Sequence, residues 1–167
     1  HTQFLGNTLG QIAAEKAGIA KAGVPLLLGE SAEPVIYDTI AQKAKEKGAL
    51  FHFAPEMALM ADDYELTPDH TLCFHSKEYG PVYGELLGDA QPCNAKTVLS
   101  ALHILREEVG LSLSPEAVKE GFRSVTSLTG LMGRWQRVAD EPCATYCDTG
   151  HNVGGWQHLA KTLADAQ

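Results

Sequence analysis

The sequence predicts an α/β protein with a mostly parallel sheet whose strands are joined by crossover helices. Elements alternate as helix, strand, helix, strand over residues 8–54. The first strand candidate, VPLLLGE at 24–30, is too apolar to alternate between a buried and an exposed face, which is typical of a strand covered on both sides. Buried strands that alternate with helices indicate a parallel sheet.

The first helix follows a capping-box pattern in TLGQ at residues 8–11, with Thr8 as the N-cap and Gln11 reaching back to it. Gly18 is expected to end this helix in a left-handed C′ position. The helical spacing of the apolar residues places Lys16 on the face that should be buried. This position is unusual, because a lysine is seldom fully buried unless it is paired.

The second helix is predicted from Pro34, which is suited to a first helical turn, to Gly48, which stops it. ALFHFA at 49–54 is a short strand. DYEL, TLCFHS and PVYGELLG, between residues 63 and 88, indicate hairpin-like strands separated by turn residues. A long helix is predicted at 92–110, with an apolar stripe formed by Val98, Leu99, Leu102, Leu105 and Val109.

The last part of the chain predicts a short helix at 115–123, then a loop leading into a short strand at 127–142. CATYCDTGHNVGGWQHLAKTL is interpreted as strand, loop and helix. One strand and one helix cannot bury a core, so a second domain is expected to begin at residue 143 and to be incomplete. The predicted division is therefore 1–142 and 143–167.

Composition argues against several classes of partner. The net charge of −8 disfavours a nucleic-acid surface, and no apolar run reaches the ~20 residues that span a bilayer. The four cysteines form no C-x-x-C pair, which disfavours a zinc or thioredoxin-type motif. We expect reduced thiols and a cytoplasmic protein.

Three stretches carry a specific resemblance: HTQFLGNTLGQIAAEKAGIAK, NAKTVLSALHIL, and GRWQ together with DTGHN. In this order they resemble the Mur ligase superfamily, and most closely its folate branch, folylpolyglutamate synthase and dihydrofolate synthase. The resemblance implies an incomplete three-layer central ATPase domain at 1–142. It further implies the first strand and helix of a Rossmann-like C-terminal domain at 143–167. No G-x-x-x-x-G-K-[ST] phosphate loop is present in the chain.

The resemblance implies an ATP-dependent ligase that phosphorylates a carboxylate of folate or dihydropteroate, after which the amine of L-glutamate displaces phosphate. ATP and Mg²⁺ are the implied cofactors, and the full-length protein is expected to be a monomer. Without the phosphate loop, this chain alone is expected to be inactive and not to bind ATP tightly.

The implied metal and catalytic residues are Lys16 and His1. Family members carry a carbamylated lysine at the position of Lys16, which turns a cation into an oxygen donor suited to Mg²⁺. The alternative is an ordinary lysine favoured by the helix macrodipole, with a snorkelling stem. His1 matches a magnesium-ligand histidine, with a frayed terminal residue as its alternative.

The implied nucleotide-binding residues are Asn94, Arg134, Asp148 and His151. Asn94 matches a residue near adenine, or is only a polar residue in a first helical turn. Arg134 matches an arginine that reaches the phosphates of the nucleotide. The alternatives are a solvated loop charge or an arginine that stacks on the ring of Trp135. Asp148 and His151 match residues near the ribose and phosphates, with a helix N-cap as the alternative for Asp148.

Two other functions remain open from the sequence. One is a different Mur-type ligase that acts on a cell-wall precursor or on cyanophycin. The other is a non-catalytic α/β binding module that keeps family residues without the activity. EKAGIAK followed directly by VPLLL favours the folate branch.

Overall fold

The computed structural model describes residues 6–31, 33–139, 141–150 and 153–165. The chain divides into two compact units, the first comprising residues up to 59 together with 96–110, and the second comprising 60–95 and 111 onward. Buried apolar residues occur in both, so each unit has apolar packing of its own.

In the first unit, helix α1 (Leu9–Lys16) begins with the predicted capping box. The Thr8 hydroxyl accepts from the Gln11 backbone N–H at 3.2 Å, and the Gln11 side chain accepts from the Thr8 N–H at 3.2 Å. The predicted left-handed C′ at Gly18 is wrong. The helix tightens instead into a 3₁₀ turn at Ala17–Ile19, whose capping N–H at Ala20 bonds to the Ala17 carbonyl. A final 3₁₀ turn is a common way to satisfy the last carbonyls of a helix.

Strands β1 (Pro25–Leu28) and β2 (Leu50–Phe53) pair in parallel, with Pro25 opposite Leu50 and Leu28 opposite Phe53. Helix α2 (Pro34–Lys47) connects them and ends at Gly48, which has a left-handed φ of 68°. A single turn, α3 (Ala54–Met57), follows β2. The predicted parallel pairing with a crossover helix is therefore confirmed for this pair.

Small side chains allow α1 and α2 to pack closely in the core of the first unit. Ala13, Ala17 and Ala44 are buried there with Leu26 and Ile40. This contact selects the face of α1 that carries Ala13 and Ala17, four residues apart. Lys16 is exposed, so the prediction that it lies on the buried face is wrong.

Helix α4 (Gln91–Glu107) spans residues of both units. The predicted apolar stripe is correct at Leu99, which is 1% exposed, but wrong at Val98, Leu105 and Val109, which are exposed. Apolar residues occupy more than one face of this helix. The buried face carries Ala95, Leu99, Ser100 and Ile104.

The second unit contains an antiparallel sheet in the order β3–β4–β5. These strands are Met60–Leu66, Leu72–Ser76 and Gly80–Gly84, as the predicted hairpins require. Helix α5 (Pro115–Arg123) starts at the N-cap Ser114, and the short helix α6 (Val125–Thr129) follows. Residues 127–129, predicted as loop, thus belong to a helix.

Strands β6 (Gln136–Ala139) and β7 (Thr145–Cys147) form an antiparallel pair, and helix α7 runs over Val153–Asp165. Among the described strands, β1 and β2 thus form the predicted parallel sheet, whereas β3–β5 and β6–β7 form two separate antiparallel sheets. The α/β class itself is confirmed, and the three-layer arrangement stays a prediction.

Helix α7 leaves an apolar stripe exposed at Val153, Trp156 and Leu163. Within the described ranges, no helix combines the length and the apolar character needed to cross a membrane. All four cysteines are free thiols, as predicted.

Candidate functional site

The candidate site lies in the second unit, where the turn before β6 meets the loop after β7. The β6–β7 ladder pairs Gln136 with Cys147 and Arg137 with Tyr146. Continuing this register by one residue places Trp135 opposite Asp148. Antiparallel pairing therefore brings GRWQ and DTGHN together, although they are separate in the sequence.

Gly133 makes the close approach of these two segments possible. Its carbonyl accepts from the Thr149 N–H at 2.9 Å and from the Thr149 hydroxyl at 3.1 Å. Its φ is +71°, and a Cβ at this position would lie 2.5 Å from Thr149 Cγ2. Both the backbone angle and the available space therefore require glycine.

Backbone N–H groups hold the Asp148 carboxylate on both of its oxygens. The Trp135 N–H donates to Oδ2 at 2.8 Å, and the Gly150 N–H donates to Oδ1 at 2.7 Å. Helix α7 begins at Val153, so the N-cap interpretation of Asp148 is wrong. An ionised carboxylate offers about four acceptor positions, so Asp148 can still accept from a ligand.

Arg134 is exposed, and its guanidinium donates through Nη1 to the Thr149 hydroxyl. The Trp135 ring stacks on Tyr146, at 5.0 Å between centroids and an interplanar angle of 19°. The alternative in which Arg134 stacks on Trp135 is thus replaced by an aromatic pair. A guanidinium with five donors keeps several of them available after bonding Thr149.

Three predicted site residues, Asn94, Arg134 and Asp148, line one cavity of about 280 Å³. Its volume is near the lower end of the roughly 300–1,000 Å³ typical of ligand pockets. The Asn94 amide donates to the Gln91 side chain at 3.3 Å, rather than capping a backbone N–H. The other residues that line the cavity are Leu87, Gly88, Asp89, Ala90, Gln91, Trp135, Thr149, Gly150, Gly155 and Leu159.

A second cavity of about 360 Å³ shares Leu87, Arg134 and Trp135 with the first. Glu85 lines it and is already engaged, since its two carboxylate oxygens accept from the Thr126 N–H at 2.5 Å and the Thr126 hydroxyl at 2.9 Å. Trp135 therefore lines both cavities.

Only one residue of the predicted magnesium site, Lys16, lies within the described residues. Lys16 is the last residue of α1 and is exposed. No cluster of three His, Cys, Asp or Glu side chains that could hold a metal occurs in the described ranges. His1 and His151 lie outside those ranges. The metal-binding role of Lys16 and its carbamylation stay predictions.

Sequence reasoning missed Thr149 and Trp135 as members of this site. Thr149 links Gly133 to Arg134, and Trp135 has a φ of +47°, which is uncommon for a bulky residue. Gly133, two residues before Trp135 in GRWQ, is a signal for an unusual turn. No sequence signal indicates a left-handed tryptophan.

No protein-family profile matches the chain. The chain is 33% identical over 159 residues to the dihydrofolate synthase/folylpolyglutamate synthase of Escherichia coli, and covers 33% of that protein. It is 29% identical over 165 residues to the protein of the same name from Bacillus subtilis, and covers 37% of it. In these alignments, 95% and 98% of the chain is matched.

Solved structures agree with these relatives. E. coli FolC in complex with DHPP and ADP matches the whole chain with a TM-score of 0.73 and 32% identity, over 36% of its own length. An FPGS–AMPPCP–folate complex matches the whole chain with a TM-score of 0.83 at 21% identity, over 40% of its own length. The second likeness concerns the fold alone.

The predicted resemblance to the folate branch is therefore confirmed, and the chain spans about a third of the length of the curated relatives it matches. It is a homologue of a segment of the dihydrofolate synthase/folylpolyglutamate synthases.

Proposed function

We propose that this chain is part of an ATP-dependent ligase that joins L-glutamate to folate, to dihydropteroate, or to both. The observation that carries the proposal is the convergence of Asn94, Arg134 and Asp148 on one cavity. The names of the relatives support the folate branch over the cell-wall and cyanophycin alternatives. Both matched structures are nucleotide complexes, one with ADP and the other with AMPPCP, which supports ATP as the cofactor.

Each of the three residues has chemistry suited to one part of a nucleotide. Arg134 presents a guanidinium whose remaining donors fit phosphate oxygens. Asp148 is a fixed acceptor suited to ribose hydroxyls, because both of its oxygens are already oriented by backbone N–H groups. Asn94 carries an amide that can pair with the edge of adenine. His151 is proposed to assist at the phosphates.

The proposed reaction passes through an acyl phosphate. The γ-phosphoryl group of ATP moves to the substrate carboxylate, ADP leaves, and the glutamate amine then displaces phosphate to form the amide. This chemistry depends on positioning and on neutralising the charge of the transferred group. Arg134 supplies part of that neutralisation in the proposal, and Asp148 orients the nucleotide.

The metal part of the proposal rests on the family resemblance. Lys16 as a carbamate and His1 would be the ligands for Mg²⁺, which would neutralise phosphate charge when bound. Lys16 is exposed in the described part of the chain and is therefore accessible to carbon dioxide and to a metal. The proposed roles of Arg134 and Asp148 do not depend on the metal.

We further propose that residues 1–142 correspond to the later part of the central ATPase domain and 143–167 to the start of the C-terminal domain. The exposed stripe of α7 supports packing against additional polypeptide, since contiguous exposed apolar surface marks an interaction site. The complete protein is proposed to be cytoplasmic and monomeric, and the isolated chain to be inactive.

The test is a steady-state ligase assay on the complete protein, with ATP, glutamate and either dihydropteroate or tetrahydrofolate. ADP release that requires both glutamate and a folate substrate supports the proposal, and the two substrates separate a monofunctional from a bifunctional enzyme. Arg134→Ala should raise the KM for ATP about tenfold or more, as expected for loss of a charge-assisted contact. Arg137→Ala is the matched control, an exposed arginine on the same segment that lines only the second cavity.

ADP release that is independent of glutamate would contradict the ligase assignment. An equal rise in KM for Arg134→Ala and Arg137→Ala would contradict the assignment of this cavity to the nucleotide.

A further inference from the structure

Trp135 has an unusual backbone conformation for a residue of its size. Its φ is +47°, in the left-handed region. This region is unfavourable for a residue with a Cβ relative to its ordinary conformation. Such a residue persists only where its surroundings hold it, and these residues cluster at functional sites.

Two contacts hold Trp135 in this conformation, one with Asp148 and one with β7, the strand that precedes Asp148. The backbone N–H donates to Asp148 Oδ2 at 2.8 Å. The indole ring stacks on Tyr146, two residues before Asp148, at 5.0 Å between centroids. Aromatic pairs of this kind stabilise beyond the area they bury, which offsets part of the backbone cost.

The left-handed turn determines where the Trp135 N–H points. In a regular antiparallel ladder, a residue opposite Asp148 would either exchange backbone hydrogen bonds with it or make none, since opposite pairs alternate between the two kinds. Here the N–H is directed to the Asp148 side chain instead. The carboxylate is thereby fixed from β6 as well as from Gly150 in its own loop.

We infer that Trp135 is a positioning residue that fixes the Asp148 carboxylate for the nucleotide through its left-handed N–H and its stack on Tyr146. This inference rests on the proposed function. Trp135 acts through Asp148, so its loss affects nucleotide binding more than glutamate binding.

The experiment uses the complete protein and measures kcat and the KM for ATP and for glutamate separately. Trp135→Ala removes the stack that offsets the backbone cost, so the turn relaxes and the N–H leaves Asp148. We expect the KM for ATP to rise about tenfold, with the KM for glutamate within twofold, in line with loss of a hydrogen bond to a charged group. Trp135→Phe keeps an aromatic stack, so its KM for ATP should remain within about threefold of the wild-type value.

Tyr146→Leu is the second variant, because it removes the stacking partner and leaves Trp135 in place. It should reproduce the rise in the KM for ATP, even if Trp135→Ala fails to fold by circular dichroism. Trp156→Phe is the matched control, since Trp156 lies on α7 and lines neither of the two cavities. With the other tryptophans of the complete protein replaced by phenylalanine, an ADP titration should change the emission of Trp135.

Lower kcat with an unchanged KM for ATP in both Trp135→Ala and Tyr146→Leu would overturn the inference, because it indicates a purely structural role. Emission of Trp135 that does not respond to ADP, in a protein that binds ADP by calorimetry, would also overturn it. Failure of the wild type to bind ADP or to consume ATP would instead contradict the proposed function.

Discussion

Substitution of Gly133 by alanine tests the turn at the centre of the candidate site. The left-handed φ of +71° alone costs alanine roughly 1–2 kcal/mol. The new Cβ would also lie 2.5 Å from Thr149 Cγ2. Thr149 cannot rotate away freely, because its hydroxyl bonds the Gly133 carbonyl and accepts from Arg134. Overpacking of this kind costs about 1–3 kcal/mol, so Gly133→Ala should destabilise by about 2–5 kcal/mol.

Gly130→Ala is the matched control, because Gly130 has a φ of +70° with nothing near its would-be Cβ. Its free energy of unfolding should fall only by the backbone contribution of roughly 1–2 kcal/mol. Urea unfolding of the complete protein measures both variants, and an ADP titration should show weaker binding for Gly133→Ala alone. Thr149→Ser removes Cγ2 and keeps the hydroxyl. The double variant Gly133→Ala with Thr149→Ser should therefore be almost as stable as Gly130→Ala. Equal losses for the two alanine variants would refute the role assigned to the contact with Thr149.

Three further predictions concern stability. Ser100 is fully buried, and its hydroxyl has no hydrogen-bond partner in the described part of the chain. Ser100→Ala should therefore raise the free energy of unfolding by about 1 kcal/mol, measured in urea. A clear fall in that free energy would show that the hydroxyl has a partner. Thr126→Val removes the hydroxyl that donates to Glu85 at 2.9 Å and should cost about 1.5–3 kcal/mol by the same assay, whereas Thr129→Val on the exposed face should cost less. The hydrogen bonds from Lys43 and Gln42 lower the pKa of Glu46 below its ordinary value. The stabilisation of the folded state by these hydrogen bonds is therefore present above the ordinary carboxyl pKa and is lost as the pH falls through the lowered pKa. An NMR titration of Glu46 checks this, and we expect an apparent pKa below that of a model peptide.

Local chemistry explains which parts of the fold could be predicted. The capping box at Thr8 and the helix from Pro34 to Gly48 follow from short-range rules, and the structure confirms them. The buried face of α4 could not be predicted, because Leu99 and Val98 are equally apolar and only tertiary packing selects between them. The same holds for Lys16, where close packing of alanines turned a different face of α1 inward.

The candidate site was predictable in some of its members but not in its geometry. The order and spacing of GRWQ and DTGHN identified Arg134 and Asp148, and the structure places both on one cavity with Asn94. The hydrogen bonds that fix these side chains come from Thr149, which accepts from Arg134, and from the Trp135 N–H, which donates to Asp148. These depend on strand register and on a left-handed backbone, which single-sequence patterns do not encode.

The central claim is that the cavity lined by Asn94, Arg134 and Asp148 holds the nucleotide of a folate ligase. The most direct test is a crystal structure of the complete protein with AMPPCP and Mg²⁺. The account predicts phosphate oxygens within hydrogen-bond distance of the Arg134 guanidinium and a ribose hydroxyl on Asp148. Nucleotide bound elsewhere, with this cavity empty, would contradict it.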